Sequence, residues 1–355
     1  MNKIFADRFK SARLLNGMSL QDLANSLDNK ISRQSLHRYE KGEVIPEKEM
    51  INLLSQVLKV APEYFFKNTK VEIGKVEFRT LKNLSSKDES KVIEQTKEYL
   101  SRYLEIEEIL GFQNEFQNPL AEFGKITMYE QINEAANKLR ESWDLGNDPI
   151  FNVVNLLEEK NIKVVKVDGE LEFDGLQTWV NRLVPVVAYN DKKLDKKDRI
   201  RFTLFHELAH LLLDFGDITV QQKETLCHQF AGAMLLPDIS IRTELGEKRN
   251  QLSIPELGNI KLKYGISLQA IVMRAKECNI INEHYTKQFF FMMDHMNWRI
   301  DEPIQYKGTE QNSNRLNQLI NRALAERLIS LSKAAELNNQ SIEEFQEYSF
   351  IFIRN

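Results

Sequence analysis

The chain has 355 residues, of which 42% are hydrophobic and 28% charged, and its formal net charge is −4. This length predicts two or three domains, and the composition is that of a globular protein without a global bias toward nucleic acid. The chain has only two cysteines, and its start does not resemble a signal peptide, which argues against a secreted protein. It also has no apolar run long enough to cross a membrane, which argues against a membrane protein. We therefore expect a cytoplasmic protein.

Residues 1–67 are predicted to form short helices separated by tight turns. Ser19 with Asp22 is a capping box for a second helix, and Ser32 caps a third helix that ends at Gly42. Helix, tight turn, helix is the geometry of DNA-binding helix-turn-helix units. A small helical bundle for protein contacts is the alternative.

The third helix begins with side chains suited to DNA. Arg33, Gln34 and Ser35 can contact guanine, adenine and phosphate respectively, and Arg38 follows one turn later. Residues 1–67 hold 11 Lys and Arg against 8 Asp and Glu, so the net charge of this segment is +3, opposite in sign to that of the chain.

The pattern ISRQSLHRYEKGEVIP, with YEKG at residues 39–42, resembles the helix-turn-helix of the Xre/Cro-like phage-repressor family. The resemblance covers most of residues 1–67. It implies a five-helix domain that binds a DNA operator and usually acts as a dimer, so a homodimer is one expectation.

Residues 68–127 are predicted to form a connector. A short strand can lie within 68–84, and a charged periodic run from Ser85 to Gly111 predicts one long helix with a serine cap. The apolar band of this helix can pair two subunits or pack on its own chain, and the second is favoured.

The middle of the chain mixes helices and strands. The predicted helices lie near 128–142, 149–160, 198–214 and 219–236, and the predicted strands lie near 161–167, 171–180 and 183–189. The strand LVPVVAYN, residues 183–190, can be a core strand or can bind an extended substrate peptide as an added strand.

The stretch RFTLFHELAHLLLDF, residues 201–215, places two histidines on a largely apolar helix. His206 and His210 are four residues apart, so both rings face the same way and can chelate one Zn²⁺. Glu207 can then take a proton from a zinc-activated water. The opposite face is apolar and anchors the helix in a core, and it consists of Leu204, Leu208, Leu211, Leu212 and Phe215. A pair of hydrogen-bonded helix histidines without a metal is the alternative.

A catalytic zinc site needs a third protein ligand, and the next helix, KETLCHQFAGAMLLP, offers candidates. Glu224 is preferred, which gives a His-His-Glu set. His228 can be a ligand instead or can stabilise an oxyanion, and Cys227 is a thiolate ligand or a small core residue. Asp214 can orient a histidine through a hydrogen bond, or can be an ordinary exposed acid.

RIRFTLFHELAHLLLDF followed by KETLCHQFAGAMLLP resembles the ImmA/IrrE family of zinc metallopeptidases, over roughly residues 128–240. GLQTWVNRLVPVVAYN resembles the strands that precede the zinc helix of that family. The resemblance implies Glu224 as third ligand and a cytoplasmic enzyme that cleaves, or promotes cleavage of, a transcriptional repressor. Cys227 and His228 depart from the family pattern, which leaves the third ligand less certain than the two histidines.

The C-terminal residues are predicted to be helical. RALAERLISLSKAAELNNQSIEEF contains a capping box at Ser341 and Glu344, and it resembles a small helix-turn-helix-like unit that suits packing or regulation.

Together these features predict a multidomain, mainly α fold with a small β-sheet. An all-α helix-turn-helix domain at 1–67 is followed by the connector, an α+β zincin-like metallopeptidase domain at 128–280 and a helical module at 281–355. The predicted function is a DNA-binding zinc endopeptidase with one Zn²⁺ per chain and a protein substrate, a transcriptional regulator. The alternatives are a repressor or antitoxin with a structural or sensory zinc site, and a pure interaction scaffold.

Overall fold

The computed structural model describes residues 2–67, 71–80, 84–112, 115–170, 173–190, 192, 195–309 and 314–350, excepting the side chains of 77–80 and 348–350. Within these residues the chain is mainly helical with a small sheet, as the sequence predicts. Residues 171 and 172 of the predicted second strand lie outside the described part.

Residues 2–66 form a small bundle of helices around their own hydrophobic core. The bundle contains α1 (Asn2–Leu15), α2 (Leu20–Ser26), α3 (Arg33–Glu40), α4 (Lys48–Leu58) and a 3₁₀ helix (Pro62–Phe66). The predicted capping box is present, since the Asp22 amide donates to Ser19 Oγ at 3.0 Å and the Ser19 amide donates to Asp22 Oδ2 at 2.8 Å. Aromatic rings, among them Phe5 and Phe9, fill the core between α1 and α3.

The long predicted helix is present as α5 (Ser86–Ile109), with Ser85 as its N-cap. One stretch of its apolar band, including Val92 and Leu100, packs on one face of the sheet. Its C-terminal part, including Ile106, packs against the last helices. The band therefore packs on its own chain, which is the favoured interpretation of the sequence.

The main sheet has four strands in the order β1-β4-β5-β3. The strands are β1 (Glu77–Thr80), β3 (Lys163–Val167), β4 (Phe173–Val180) and β5 (Val184–Asn190), and a separate two-stranded sheet joins β2 (Lys125–Ile126) to β6 (Asp214–Phe215). β3 is parallel to β5, whereas β4 is antiparallel to both β5 and β1.

Strand β5 is paired on both sides and every one of its residues is buried. The backbone groups of this strand are committed to its two neighbours, so LVPVVAYN is a core strand and has no edge for a substrate peptide.

Helices cover the sheet on the face opposite α5. They are α6 (Tyr129–Ser142), α7 (Val153–Glu159), α8 (Lys197–Leu212), α9 (Val220–Leu235), α10 (Asp238–Leu245), α11 (Ile254–Tyr264), α12 (Leu268–Glu277) and α13 (Glu283–His295). Their apolar side chains and the inward side chains of β3 and β5 form the largest hydrophobic cluster of the described residues. The sheet thus separates two cores, one toward α5 and one toward α8 and α9.

The C-terminal helices α14 (Arg315–Ala325), α15 (Leu331–Leu337) and α16 (Ile342–Phe350) pack on the end of α5. The predicted capping box is present, since the Ser341 amide donates to Glu344 Oε2 at 2.8 Å and the Glu344 amide donates to Ser341 Oγ at 3.1 Å.

Candidate functional site

Helix α8 carries the HExxH residues and is buried almost all round. Leu204, Leu208 and Leu212 pack into the core as predicted, but His206 and Glu207 are also no more than 2% exposed. Phe215, predicted as part of the apolar face, lies beyond the end of the helix in β6. The predicted division into one packed and one open face is therefore too simple, because the side chains of His206 and Glu207 are also enclosed by the protein.

Buried arginines hold the helices around His206 and Glu207. Arg201 of α8 is fully buried, and it donates to the carbonyl oxygens of Ile150 and Gly265 at 2.8 and 3.0 Å. Arg274 donates to Leu236 O at 3.0 Å and so satisfies a carbonyl at the C-terminal end of α9. These bonds fix α8 and α9 relative to the helices behind them.

Helix α9 begins at a capping box between Thr219 and Gln222 and ends before Pro237, as the proline predicts. This placement brings Glu224 opposite the two histidines. Glu224 Oε2 lies 3.2 Å from His206 Nε2, and Glu224 Oε1 lies 3.3 Å from His210 Nε2. The two Nε2 atoms are 3.2 Å apart.

The carboxyl of Glu224 is held in its ionised form. Hydrogen bonds with His206, and then with His210, keep the pKa of this carboxyl well below its usual range, although partial burial acts in the opposite direction. An ionised carboxylate and neutral imidazoles are the protonation states in which these groups bind metal ions.

The three side chains fit a divalent cation. One ligand atom from each of His206, His210 and Glu224 lies within 4.8 Å of the others, and no second group of this kind occurs among the described histidine, cysteine, aspartate and glutamate residues. Two imidazole nitrogens and a carboxylate oxygen are a common ligand set for catalytic zinc. The His-His-Glu set that the sequence favours is therefore brought together at one point.

Glu207 follows His206 in α8 and packs close to strand β4. A Cβ added at Gly175 would come within 3.4 Å of Glu207 Cγ, 2.6 Å of Thr203 Cγ2 and 2.8 Å of Ala188 O. Only glycine allows α8 to approach the strand this closely. Gly175 therefore sets the position of the predicted general base relative to the sheet.

The two alternative ligands of α9 differ in position. Cys227 is fully buried in the core. His228 is exposed, and its ring centroid lies 4.4 Å from that of His206. Its Nδ1 is 2.7 Å from Glu224 O, and because a carbonyl can only accept, Nδ1 carries the proton. Nε2 of His228 can then donate to an oxyanion only if the ring is doubly protonated.

Asp214 is not part of the group formed by His206, His210 and Glu224. Helix α8 ends at Leu212, and Asp214 is exposed in the short strand β6. The Nδ1 atom of His210 is buried and forms no hydrogen bond with the part of the chain that the structure describes. The role of Asp214 in orienting a histidine stays a prediction, without a described contact to support it.

A cavity of about 940 Å³ opens next to His228 and runs between α9, α12 and α13. Glu277 lies in its wall with a side chain that is 11% exposed, 3.8 Å from Arg274 Nη1. Burial raises the pKa of the Glu277 carboxyl to about 7, although the positive charge of Arg274 opposes the shift. No sequence signal marks Glu277, because α12 carries no recognisable motif.

The predicted DNA-contacting residues lie on α3. Arg33, Gln34 and Arg38 are exposed, whereas Ser35 is partly buried and its amide donates to Ser32 Oγ at 3.1 Å. Arg38 forms an exposed ion pair with Glu43 at 3.2 Å. The start of α3 is thus open to a partner, as a recognition helix must be.

Comparison with known families agrees with both halves of this description. Residues 9–65 match the family model described as helix-turn-helix, and residues 157–276 match that of the IrrE N-terminal-like domain, a peptidase family. The chain thus contains one region similar to helix-turn-helix domains and a second region similar to the IrrE N-terminal-like domain. No curated protein and no solved structure matches it.

The IrrE-like domain contains β3, β4, β5, α8 and α9, and therefore the whole ligand set. This match indicates a metallopeptidase family of the zincin type, and the helix-turn-helix match indicates DNA binding. The recognition of both families from sequence motifs is confirmed. None of the described helices has the length and apolar composition that crossing a membrane would require.

Proposed function

We propose that this chain is a DNA-binding, zinc-dependent endopeptidase that regulates transcription by cleaving a regulatory protein. The observation that carries the proposal is the convergence of His206, His210 and Glu224, inside a region that matches a peptidase family and with Glu207 next to His206 in the chain. These three residues would hold one Zn²⁺ per chain. When bound, the ion supplies Lewis acidity toward water and toward a peptide carbonyl.

Glu207 is the proposed general base. Its carboxylate takes a proton from the attacking water and later delivers that proton to the nitrogen of the departing amine, which breaks the peptide bond. The burial of Glu207 and its close packing against Gly175 hold the carboxylate in one place. Because the carboxylate is already positioned, little conformational entropy is lost when it takes the proton from water.

The helix-turn-helix domain would bring this chemistry to an operator. Arg33 and Gln34 are exposed and would meet base edges, Arg38 would do so after leaving its exposed ion pair with Glu43, and Ser35 would lie near the phosphate backbone. Tethering to DNA raises the local concentration of peptidase near any repressor that occupies the same operator. The activity would then take place in the cytoplasm, where the operator lies.

The test is cleavage of the protein encoded next to this chain's gene. Wild type loaded with zinc, wild type treated with a chelator, and Glu207→Gln loaded with zinc are each incubated with that protein and with a mixture of quenched fluorescent peptides. We expect specific cleavage by the first sample alone, with Glu207→Gln reduced by roughly 10²–10⁴-fold while it keeps its zinc and its DNA binding.

Unimpaired biological regulation by Glu207→Gln would contradict the proposal. That outcome would favour the non-proteolytic alternative, a repressor or antitoxin in which the metal site is structural or sensory.

A further inference from the structure

Residues 71–80 run along the outer edge of β4. In β1, Glu77 is opposite Gln177 and Arg79 is opposite Gly175, in antiparallel register. Before β1, the Gly74 amide donates to Trp179 O at 2.8 Å and Thr178 Oγ1 donates to Lys75 O at 3.2 Å. Without this segment, β4 would be the edge of the sheet on the side away from β5.

This edge lies beside the candidate catalytic residues. Gly175 packs closely under α8, because a Cβ at this position would lie 2.6 Å from Thr203 Cγ2 and 3.4 Å from Glu207 Cγ. Neighbouring strands lie about 4.8 Å apart, so the β1 backbone at Arg79 passes one strand spacing from the point of β4 nearest Glu207. A peptide chain that is to reach Glu207 along the sheet must occupy the same place.

We infer that residues 71–80 keep the active site latent by occupying the β4 edge that an extended substrate peptide needs. This inference rests on the proposed function. The free edge of β4 offers unpaired amide and carbonyl groups that an antiparallel peptide can satisfy, which gives affinity with little dependence on sequence. Two strands cannot use the same edge, so the resident segment excludes the substrate.

The resident segment is tethered by the chain at both ends, to the N-terminal bundle and to α5, and these two elements also contact each other. On the N-terminal side, Arg8 Nη1 lies 2.9 Å from Glu98 Oε2 of α5, and the Tyr64 hydroxyl donates to the same carboxylate at 3.3 Å. On the C-terminal side, Lys87 at the start of α5 pairs with Asp22 at 3.3 Å. A tethered strand acts at an effective concentration on the order of millimolar. A free substrate peptide must compete with the segment at that concentration to bind the β4 edge.

The same contacts connect the strand to the DNA-binding domain. Arg8 and Tyr64 belong to the helix-turn-helix bundle, which precedes the segment in the chain, so these contacts join the bundle to the helix that follows the segment. Movement of the bundle away from α5 would loosen the segment and open the edge.

The test uses full-length, zinc-loaded chain with Gly74→Pro. Proline removes the amide that donates to Trp179 O, and so weakens the pairing of the segment. Gly74→Ala is the matched control, because it adds the same Cβ 3.1 Å from Trp179 O but keeps the amide. Thr178→Val is a second variant, which removes the donor to Lys75 O from the β4 side.

Two readouts are compared. The first is binding of a labelled peptide with the sequence VEIGKVEFRT, residues 71–80. We expect Gly74→Pro to bind it at least ten times more tightly than wild type or Gly74→Ala does, with Thr178→Val in between. The second is hydrolysis of quenched fluorescent peptides, for which we expect Gly74→Pro to lower KM with kcat unchanged, and added VEIGKVEFRT to raise KM again.

Equal binding of the labelled peptide by all variants would overturn the inference, as would tighter binding without any change in KM. If Gly74→Pro binds the peptide but no variant hydrolyses any substrate, the proposed peptidase function fails and the latency fails with it. The binding readout thus separates failure of the strand exchange from failure of the enzyme.

Discussion

The candidate metal centre on α8 and α9 and the proposed recognition helix α3 place polar side chains in opposite settings. His206 and Glu207 are no more than 2% exposed and are held by helices that pack on every side. Arg33 and Gln34 project from a small bundle into solvent. The first arrangement holds a few atoms in place by packing, and the second leaves flexible side chains to adjust to a partner.

This difference follows from the chemistry that each site would perform. Proton transfer and metal binding depend steeply on distance, so the surrounding core must set the geometry before a substrate arrives. Base recognition tolerates side-chain adjustment, because much of the affinity for DNA comes from charge. Changes near the metal centre should therefore alter stability and catalysis together, whereas changes on α3 should alter DNA binding alone.

The largest effect is expected from Gly175→Ala. The added Cβ would collide with Thr203 and with Ala188 O, so we expect a loss of about 3 kcal/mol in the free energy of unfolding, as in an overpacked core, together with displacement of Glu207. Chemical denaturation measures the first effect and peptide hydrolysis the second.

Gly232→Ala in α9 is the matched control. A Cβ there meets only Arg274 Cδ at 3.9 Å, and alanine favours a helix, so this variant should be neutral or more stable by up to about 1 kcal/mol. Equal stability of the two variants would show that the gap between α8 and β4 is not filled as described.

Glu277→Gln tests the buried wall of the cavity. The pKa of Glu277 is raised to about 7 in the folded chain from an ordinary value of 4.5, so between these values the folded state binds a proton that the unfolded state has lost. The resulting stability is fully present below pH 4.5 and is lost as the pH rises through 7. In wild type the free energy of unfolding should therefore fall by about 2–3 kcal/mol between pH 5 and 8. In Glu277→Gln this fall should be absent, and unfolding curves measured across that pH range test it.

Glu283→Gln serves as its control. Pairing with Lys276 lowers the pKa of this exposed carboxyl, so its contribution changes only at lower pH and the curve between pH 5 and 8 should keep the wild-type slope. A wild-type slope in Glu277→Gln as well would mean that the Glu277 carboxyl is ionised throughout that range.

The smallest effect on the molecule itself is expected from Arg33→Ala. Loss of a base contact should weaken operator binding by about 1–2 kcal/mol and relax specificity at one position, without a change in unfolding or hydrolysis. Lys10→Ala removes an equal charge from the exposed side of α1 and should leave specificity intact. Fluorescence anisotropy with the operator and a scrambled duplex distinguishes the two, and identical losses would remove α3 from the proposed interface.

The features that could be predicted from the sequence are those formed by residues only a few positions apart. His206 and His210 share a face because they are four residues apart, and Ser19 with Asp22 forms its cap within one turn. The edge pairing of β1 with β4 was not predictable, because it joins segments that are distant in the chain and leaves no local pattern. The burial of Glu277 also arises from three helices packing together, and single-helix periodicity does not contain that information.

The zinc content of the purified chain tests the central claim, that His206, His210 and Glu224 hold one catalytic metal ion. Wild type, Glu207→Gln, His210→Ala and Glu224→Ala are dialysed against trace zinc and analysed by inductively coupled plasma mass spectrometry. We predict one zinc per chain in wild type and Glu207→Gln, and well below one in the other two. Full zinc in His210→Ala and Glu224→Ala, or none in wild type, would contradict the account.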